Sequence, residues 1–258
     1  MTDHDRTART RICAAEADRI RIRGRDLVDD LMGKVGFTGM FLLQALGREP
    51  APLQVRLVEA VMVTIMEHGL VPSAVATRLT YHGAPETYQG AIAAGLLGVG
   101  DRYAGTAGVC GALFERVLAC PRAGRPDAVR AEIRAHRANR RPLPGFGHPT
   151  HRAGDPRVPR LVAIAREAGA GGEHIEIMDL FEKGLAEELG RRLPVNISAA
   201  IAAVLGEAGI PVPMMRGIVL VARCAGLVGH LHEEMQHPVA ESMWHAMERT
   251  VRYEPDDG

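Results

Sequence analysis

Lysine is almost missing from this chain: of 31 basic residues only Lys34 and Lys183 are lysines, and the other 29 are arginines. The 31 acidic residues cancel that charge to a formal net of zero. Neither the counterion-release attraction that holds proteins on nucleic acid nor a polybasic membrane anchor is therefore available. Aromatic residues are 4% of the chain. Cysteine is also scarce, and Cys13, Cys110, Cys120 and Cys224 form no CxxC pair, which excludes a recognisable zinc site or disulfide framework and suits a reduced, cytoplasmic setting. The opening MTDHDRTARTR is charged with no apolar segment of signal-peptide type after it, and no run approaches the ~20 apolar residues of a membrane span. The expectation is a soluble, unprocessed protein with no nucleic-acid and no membrane partner.

What is present is apolar and aliphatic. Hydrophobic residues make up 47% of 258, mostly Ala, Leu, Val, Ile and Met, enough for a large core of packed helices. Residues 1–20 are polar and read as loose; residues 21–258 read as one helical unit, with a smaller subdomain over about 73–195. IRIRGRDLVDDLMG predicts an extended piece, a turn at Gly24 and a short helix over 27–32. Further helices are predicted over 37–46, 53–68, 74–81 (capped by Ser73), 84–97, 104–119, 127–139, 155–169, 173–190, 198–208, 214–234 and 239–250.

Several segments invite chemistry. GVGDRYAG lacks the third glycine of a dinucleotide fingerprint, because Tyr103 stands there, and no apolar strand precedes it. HLHEE lacks the HExxH spacing, and His148 and His151 lie in a loop with no common direction, so no metal site is expected. In PLPGFGHP, over 142–149, five of eight positions are proline or glycine, which no regular helix tolerates. A histidine held by so stiff a loop is ordered at low entropic cost, which makes His148 the leading candidate for chemistry against a bland role bonding nearby backbone. Downstream, Asp155, Pro156 and Arg157 fit the N-cap, N1 and N2 of a helix. There the helix dipole is already positive, so Arg157 needs an anion beside it, either a substrate carboxylate or Asp155 or Glu167. Arg223 interrupts the apolar IVLVARCAGLVGH and shares a helix face with Gly226 and His230. A guanidinium buried there needs a carboxylate or phosphate, from a ligand or from a glutamate of the chain. His68 falls at a helix C-terminus, which suits an imidazolium.

In order along the chain, these segments resemble the citrate synthase superfamily. IRIRGRDLVDDL with FLLQALGREP is similar to the family's opening and EHGLVPSAVATR to its histidine-bearing segment. GLLGVGDRYAG is similar to its central glycine turn, GFGHPTHRAGDPR to its GxGH...DPR loop, ARCAGLVGHLHEE to its arginine-to-histidine helix, and VRYEP to its terminus. The GDRYAG turn and the short chain look most like stand-alone citryl-CoA lyases and the citryl-CoA lyase module of ATP-citrate lyase, since synthases place histidine where Tyr103 stands. The resemblance implies an all-α, citrate synthase-like fold with a large and a smaller helical domain, a homodimer, and a cleft between the domains. By matched motif it implies that His68 and His148 are catalytic and that Arg157 and Arg223 hold substrate carboxylates. Pro144, Gly145, Phe146 and Gly147 would lie near the thioester arm of coenzyme A, and Arg152 near its phosphates.

One departure stands out: in PVNISAA the family's NVD has become Asn196, Ile197 and Ser198. The carboxylate that moves a proton on the acetyl methyl carbon is replaced by a hydroxyl, which cannot readily do so; alternatively Ser198 is simply an N-cap. The implied reaction is retro-Claisen cleavage of citryl-CoA, or a related 3-hydroxy-3-carboxyacyl-CoA, to acetyl-CoA and oxaloacetate or another 2-oxo acid. Coenzyme A thioester is the substrate and no cofactor is needed. His148 would take the tertiary hydroxyl proton, and His68 would donate to the thioester enolate, with Tyr103 either assisting or serving only as a packed aromatic. Asp101 or water would supply the final proton. The competing functions are citrate synthase-type condensation and a non-catalytic homologue that binds an acyl-CoA or polycarboxylate.

Overall fold

The computed structural model describes residues 8–101, 105–147 and 154–255; Tyr103, His148, His151 and Arg152 lie outside them. By its internal contacts the chain divides into Met1–Glu59 and Ala60–Gly258.

In the first unit, β1 (Cys13–Ala15), β2 (Ile20–Ile22) and β3 (Arg25–Asp26) make a small antiparallel sheet in chain order. Arg23 and Gly24 have φ of 50° and 83°, and Ile22 pairs with Arg25 across them. Two central residues with positive φ match the twist of the flanking strands. The segment expected to be loose thus contains a strand, because β2 finds its second hydrogen-bonding edge in residues 13–15. Asp26 caps a single π-turn over Leu27–Leu31, accepting from Val28 N at 2.9 Å and Asp29 N at 3.0 Å. Ile22, Leu31 and Leu43 form a core against which Leu27, Val35 and Met40 pack. Helix α1 (Phe37–Leu46) has the predicted bounds and stops at Gly47.

Helix α2 (Pro52–Ile65) leads into the second unit, which holds α3 (Pro72–Gly83), α4 (Tyr88–Leu97), α5 (Thr106–Leu118), α6 (Arg125–Ala138), α7 (Arg157–Glu167), α8 (Glu173–Leu189), α9 (Ile197–Glu207), α10 (Val212–Gln236) and α11 (Ala240–Thr250). The all-α class is confirmed. Helix α9 is the centre: Ile197 and Ala199 through Gly206 are all buried, and α5, α7, α8 and α10 pack on it. Its small side chains let four neighbours approach one helix, a pattern of burial on every face rather than on one stripe. Helices α3 and α4 pack together, with α10 against both and α11 against α3.

Several boundaries differ from expectation for identifiable reasons. Helix α3 begins with Pro72 as its first residue and Val71 as the cap, so Ser73 does not cap it. Helix α4 starts four residues late because Ala84–Thr87 makes a turn, with Thr87 N donating to Ala84 O at 3.1 Å. Helix α10 spans 25 residues and is long and apolar enough to cross a membrane by length and composition, contrary to the reading that no such stretch exists. In this fold its apolar side chains Met215, Ile218, Val219, Ala222, Leu227 and Leu231 are buried, and it also carries the buried Arg223 and Glu234.

An aromatic chain ties the mid-chain loop to this core. Phe181 is fully buried between Phe114 and Phe146, with ring centroids 5.8 Å apart in both pairs. Phe181→Ala is therefore expected to destabilise the protein by about 3–5 kcal/mol, read as a lowered midpoint in urea unfolding. A loss below about 1 kcal/mol would mean that the core closes over the gap.

Candidate active site

The turn that follows α2 is where the candidate residues meet. Helix α2 stops at Ile65, three residues before the predicted end, because side chains take over its backbone groups. Glu67 Oε1 accepts from His68 N at 2.8 Å and from Gly69 N at 2.6 Å. Arg223, from α10, donates Nη1 to Ile65 O at 3.3 Å and Met66 O at 3.1 Å, and Nη2 to Ser73 Oγ at 3.4 Å. His68 thus stands in an exposed turn rather than on a helix end. Gly226, one turn beyond Arg223 on α10, lies directly against Met66 O, so a Cβ there has no room. The glycine serves close approach of α10 to this turn.

Arg223 is 2% exposed and has no ion pair among the described residues. Burial pulls it below the usual guanidinium value, and the charge of Glu67 acts in the opposite sense. The glutamate partner considered from sequence is not its direct contact; backbone carbonyls and a hydroxyl satisfy it instead.

Arg157 finds its anion in Asp155. Nε and Nη2 donate to the two carboxylate oxygens of Asp155 at 2.9 and 2.7 Å, a bidentate pair, and Arg157 N donates to the same carboxylate at 3.0 Å. The Asp155 carboxylate thus takes the first amide of α7, but the helix begins at Arg157 with Pro156 as its cap, one residue later than the sequence suggests. Glu167 pairs with Arg160 instead, at 2.9 Å. The remaining Nη1 of Arg157 lies 3.5 Å from His68 Nδ1. The structure therefore brings His68, Arg157 and Arg223 to one short turn.

The loop over Pro144–Gly147 is held separately. Phe146 bridges Val195, Gly147 N donates to Pro194 O at 2.8 Å, and Asn196 N donates to Gly145 O at 2.9 Å. The Asn196 side chain works in two directions, donating Nδ2 to Gly147 O at 2.9 Å and accepting from Ser198 N at 3.0 Å. Asn196 is therefore the cap of α9, and Ser198 lies inside the helix. Gly145 has φ of 88°, and a Cβ there would come within 2.6 Å of Ala199 Cβ and 2.8 Å of Cys110 Sγ. Only glycine fits both the conformation and the space. His148 and Arg152 lie outside the described residues. Asp101, considered as a proton source, is engaged by Arg216 Nη1 at 2.8 Å.

Sequence reasoning missed Arg78 and Glu67. Arg78 is 1% exposed on α3. It donates Nη1 to Glu234 Oε2 at 2.6 Å, Nε to His230 Nδ1 at 3.0 Å, and Nη2 to Glu233 Oε2. His230 Nε2 in turn meets Glu67 Oε1 at 3.0 Å, so this histidine of HLHEE is committed to protein partners. The signal available in the sequence was an arginine within the apolar stretch of α3, read there only as part of a longer motif. Among the described residues no group of three His, Cys, Asp or Glu side chains is disposed to hold a metal ion.

Comparison with known proteins matches the model of citrate synthase, C-terminal domain, over residues 3–246. The structure of a citryl-CoA lyase from Hydrogenobacter thermophilus is similar with a TM-score of 0.85 and 29% identity, covering 98% of this chain and 96% of that one. An ATP citrate lyase from Methanosaeta concilii, solved with (3S)-citryl-CoA, has a TM-score of 0.76 at 20% identity, covering 97% of this chain and 42% of that one; it shares the fold. A putative citrate synthase 2 of Mycobacterium bovis is 29% identical over 192 residues, 72% of this chain and 49% of that protein. The chain spans about half the length of the curated relatives it matches.

Glu67 and Glu234 both sit below the ordinary glutamate value of 4.5. In each, burial acts to raise the value and is outweighed: in Glu67 by the amides of His68 and Gly69 and by His230, in Glu234 by the amides of Ala240 and Val239 and by Arg78. The folded state then binds fewer protons than the unfolded chain, so this stability is present above pH 4.5 and is lost as pH falls through the lowered values. Melting curves between pH 7 and pH 3 should show that loss. Glu234→Gln should flatten it while lowering stability at neutral pH by about 3 kcal/mol; a variant as acid-sensitive as the parent would contradict this assignment.

Proposed function

The chain belongs to the citrate synthase family, and on that footing we propose that it cleaves citryl-CoA, or a closely related 3-hydroxy-3-carboxyacyl-CoA, reversibly to acetyl-CoA and oxaloacetate or another 2-oxo acid. The observation that carries this reading is the full-length likeness to a citryl-CoA lyase, which extends over nearly all of both chains. The likeness to the synthase relatives, by contrast, covers only about half of each of them. We further propose a cytoplasmic homodimer that binds an acyl-CoA and a polycarboxylate or 2-oxo acid.

The chemistry asks for two things that the turn after α2 can offer. Carboxylates of the substrate need cations that are already oriented. Arg157 is fixed by its bidentate pair with Asp155, and Arg223 is a buried charge with no ion pair of its own among the described residues. Both conditions favour a carboxylate ligand, because pre-oriented donors lose little freedom on binding. The breaking bond needs a place for its electrons. As the base takes the tertiary hydroxyl proton, a carbonyl forms on the 2-oxo acid. The carbon–carbon bonding pair passes to the α-carbon of the thioester, giving an enolate.

A guanidinium N–H can only donate, so the approach of Arg157 makes His68 Nδ1 an acceptor and leaves the ring proton on Nε2. That proton is suited to the enolate oxygen. The base is assigned by motif to His148, and protonation of the enolate at carbon completes acetyl-CoA. Ser198, whose hydroxyl is a poor acid and base near neutral pH, leaves that last proton to water or another group.

Incubation with citryl-CoA is expected to yield acetyl-CoA and oxaloacetate in equal amounts. Arg157→Ala should lower kcat/KM by about 100-fold or more, and His148→Ala should abolish turnover. Rapid release of free CoA with citrate, starting from acetyl-CoA and oxaloacetate, would replace this reading with a synthase. Calorimetric CoA binding without turnover in either direction would replace it with a binding homologue.

A further inference from the structure

We propose that Arg78, His230 and Glu67 act as a positioning relay for His68, anchored at its far end to the start of α11. Arg78, 1% exposed inside the helical core, is costly to place there unless its donors are met. A guanidinium has five N–H groups and no lone pair, so every neighbour it satisfies must accept. Glu234 and Glu233 accept as carboxylates, and the third acceptor is His230 Nδ1 at 3.0 Å. Accepting there fixes the tautomer of His230, with its proton on Nε2. That proton is donated to Glu67 Oε1 at 3.0 Å.

Glu67 Oε1 consequently gathers three donors: His230 Nε2, His68 N at 2.8 Å and Gly69 N at 2.6 Å. The two amides lie on either side of the His68 Cα, so holding both fixes the two peptide planes that direct its side chain. His68 itself is exposed, and the clamp orders the backbone that carries it before any ligand arrives. Ordering it only at binding would add the conformational entropy of each residue so fixed to the cost of binding. At the other end, Glu234 Oε1 accepts from Val239 N at 2.9 Å and Ala240 N at 2.8 Å, the first amides of α11. One continuous set of hydrogen bonds thus runs from the last helix through the buried side chains of Glu234, Arg78 and His230, and then Glu67, to the backbone of His68.

None of the three groups needs to touch substrate. Their effect on rate is through the aim of His68, and this kinetic consequence rests on the function proposed above. The orientation itself does not, so it can be tested without substrate.

Two pairs of variants separate positioning from packing. His230→Gln keeps one acceptor and one donor at about the right spacing, whereas His230→Leu fills the space and cuts the relay. Glu67→Gln keeps an acceptor oxygen for the two amides, whereas Glu67→Ala, at a half-exposed site, removes it. The Leu and Ala variants are expected to lose about ten- to a hundredfold in kcat for citryl-CoA, with KM changed less than about twofold. The Gln variants should recover most of that loss.

In the free enzyme, 15N spectra should show the backbone amide signals of His68 and Gly69 displaced in Leu and Ala and near the parent in Gln. Unaltered amide signals in both disruptive variants would overturn the relay, as would equal losses in Gln and its disruptive counterpart. If the parent does not cleave citryl-CoA while these signals still follow the relay, the functional reading falls and the positioning stands.

Discussion

A guanidinium buried among helices must be answered atom by atom, and this requirement organises the second unit around the end of α2. Arg223 consumes the carbonyls of Ile65 and Met66, while Arg78 engages Glu234, Glu233 and His230. The helix cannot continue past Ile65 because its C-terminal carbonyls and the next amides already have side-chain partners. An unmatched buried charge would cost several kcal/mol, so removing any one partner harms the fold more than the pair itself contributes. Stability and the presentation of His68 therefore depend on the same hydrogen bonds.

The mid-chain loop is fixed by a different principle, space. Gly145 is pressed between Ala199 and Cys110, and Phe146 is buried against Phe181. Asn196 then joins the loop to the first turn of α9. Because α9 is buried nearly all along its length, a loop bonded to its cap inherits the rigidity of the core. Loop residues so held can carry chemistry without paying for order at each encounter.

Much of this was legible in the sequence, for specific reasons. The bounds of α1 were readable because Gly47 ends an apolar run, and the start of α7 to within one residue because Asp155 and Pro156 are local signals that need no tertiary context. Arg157 and Asp155 are two residues apart, so their pairing could be anticipated as one of a few choices. The partners of Arg78 could not: His230 and Glu234 are more than 150 positions away. The end of α2 was misplaced for the same reason, since propensity extends the helix to His68 while Arg223, 158 residues beyond Ile65, withdraws its carbonyl. Ser198 was ambiguous between a cap and an altered catalytic position until Asn196 was seen to take the capping bond.

The near-absence of lysine acquires a chemical meaning in a protein proposed to hold activated thioesters. Free amines attack such esters and become acylated, whereas guanidinium groups stay protonated and are poor nucleophiles at neutral pH. A surface whose positive charge is almost wholly arginine keeps its cations for carboxylates and offers an acyl donor few places to go astray. Of the two lysine amines that remain, that of Lys34 already donates to the carbonyl of Asp29 at 2.5 Å. Wayward self-modification is thereby restricted by composition alone.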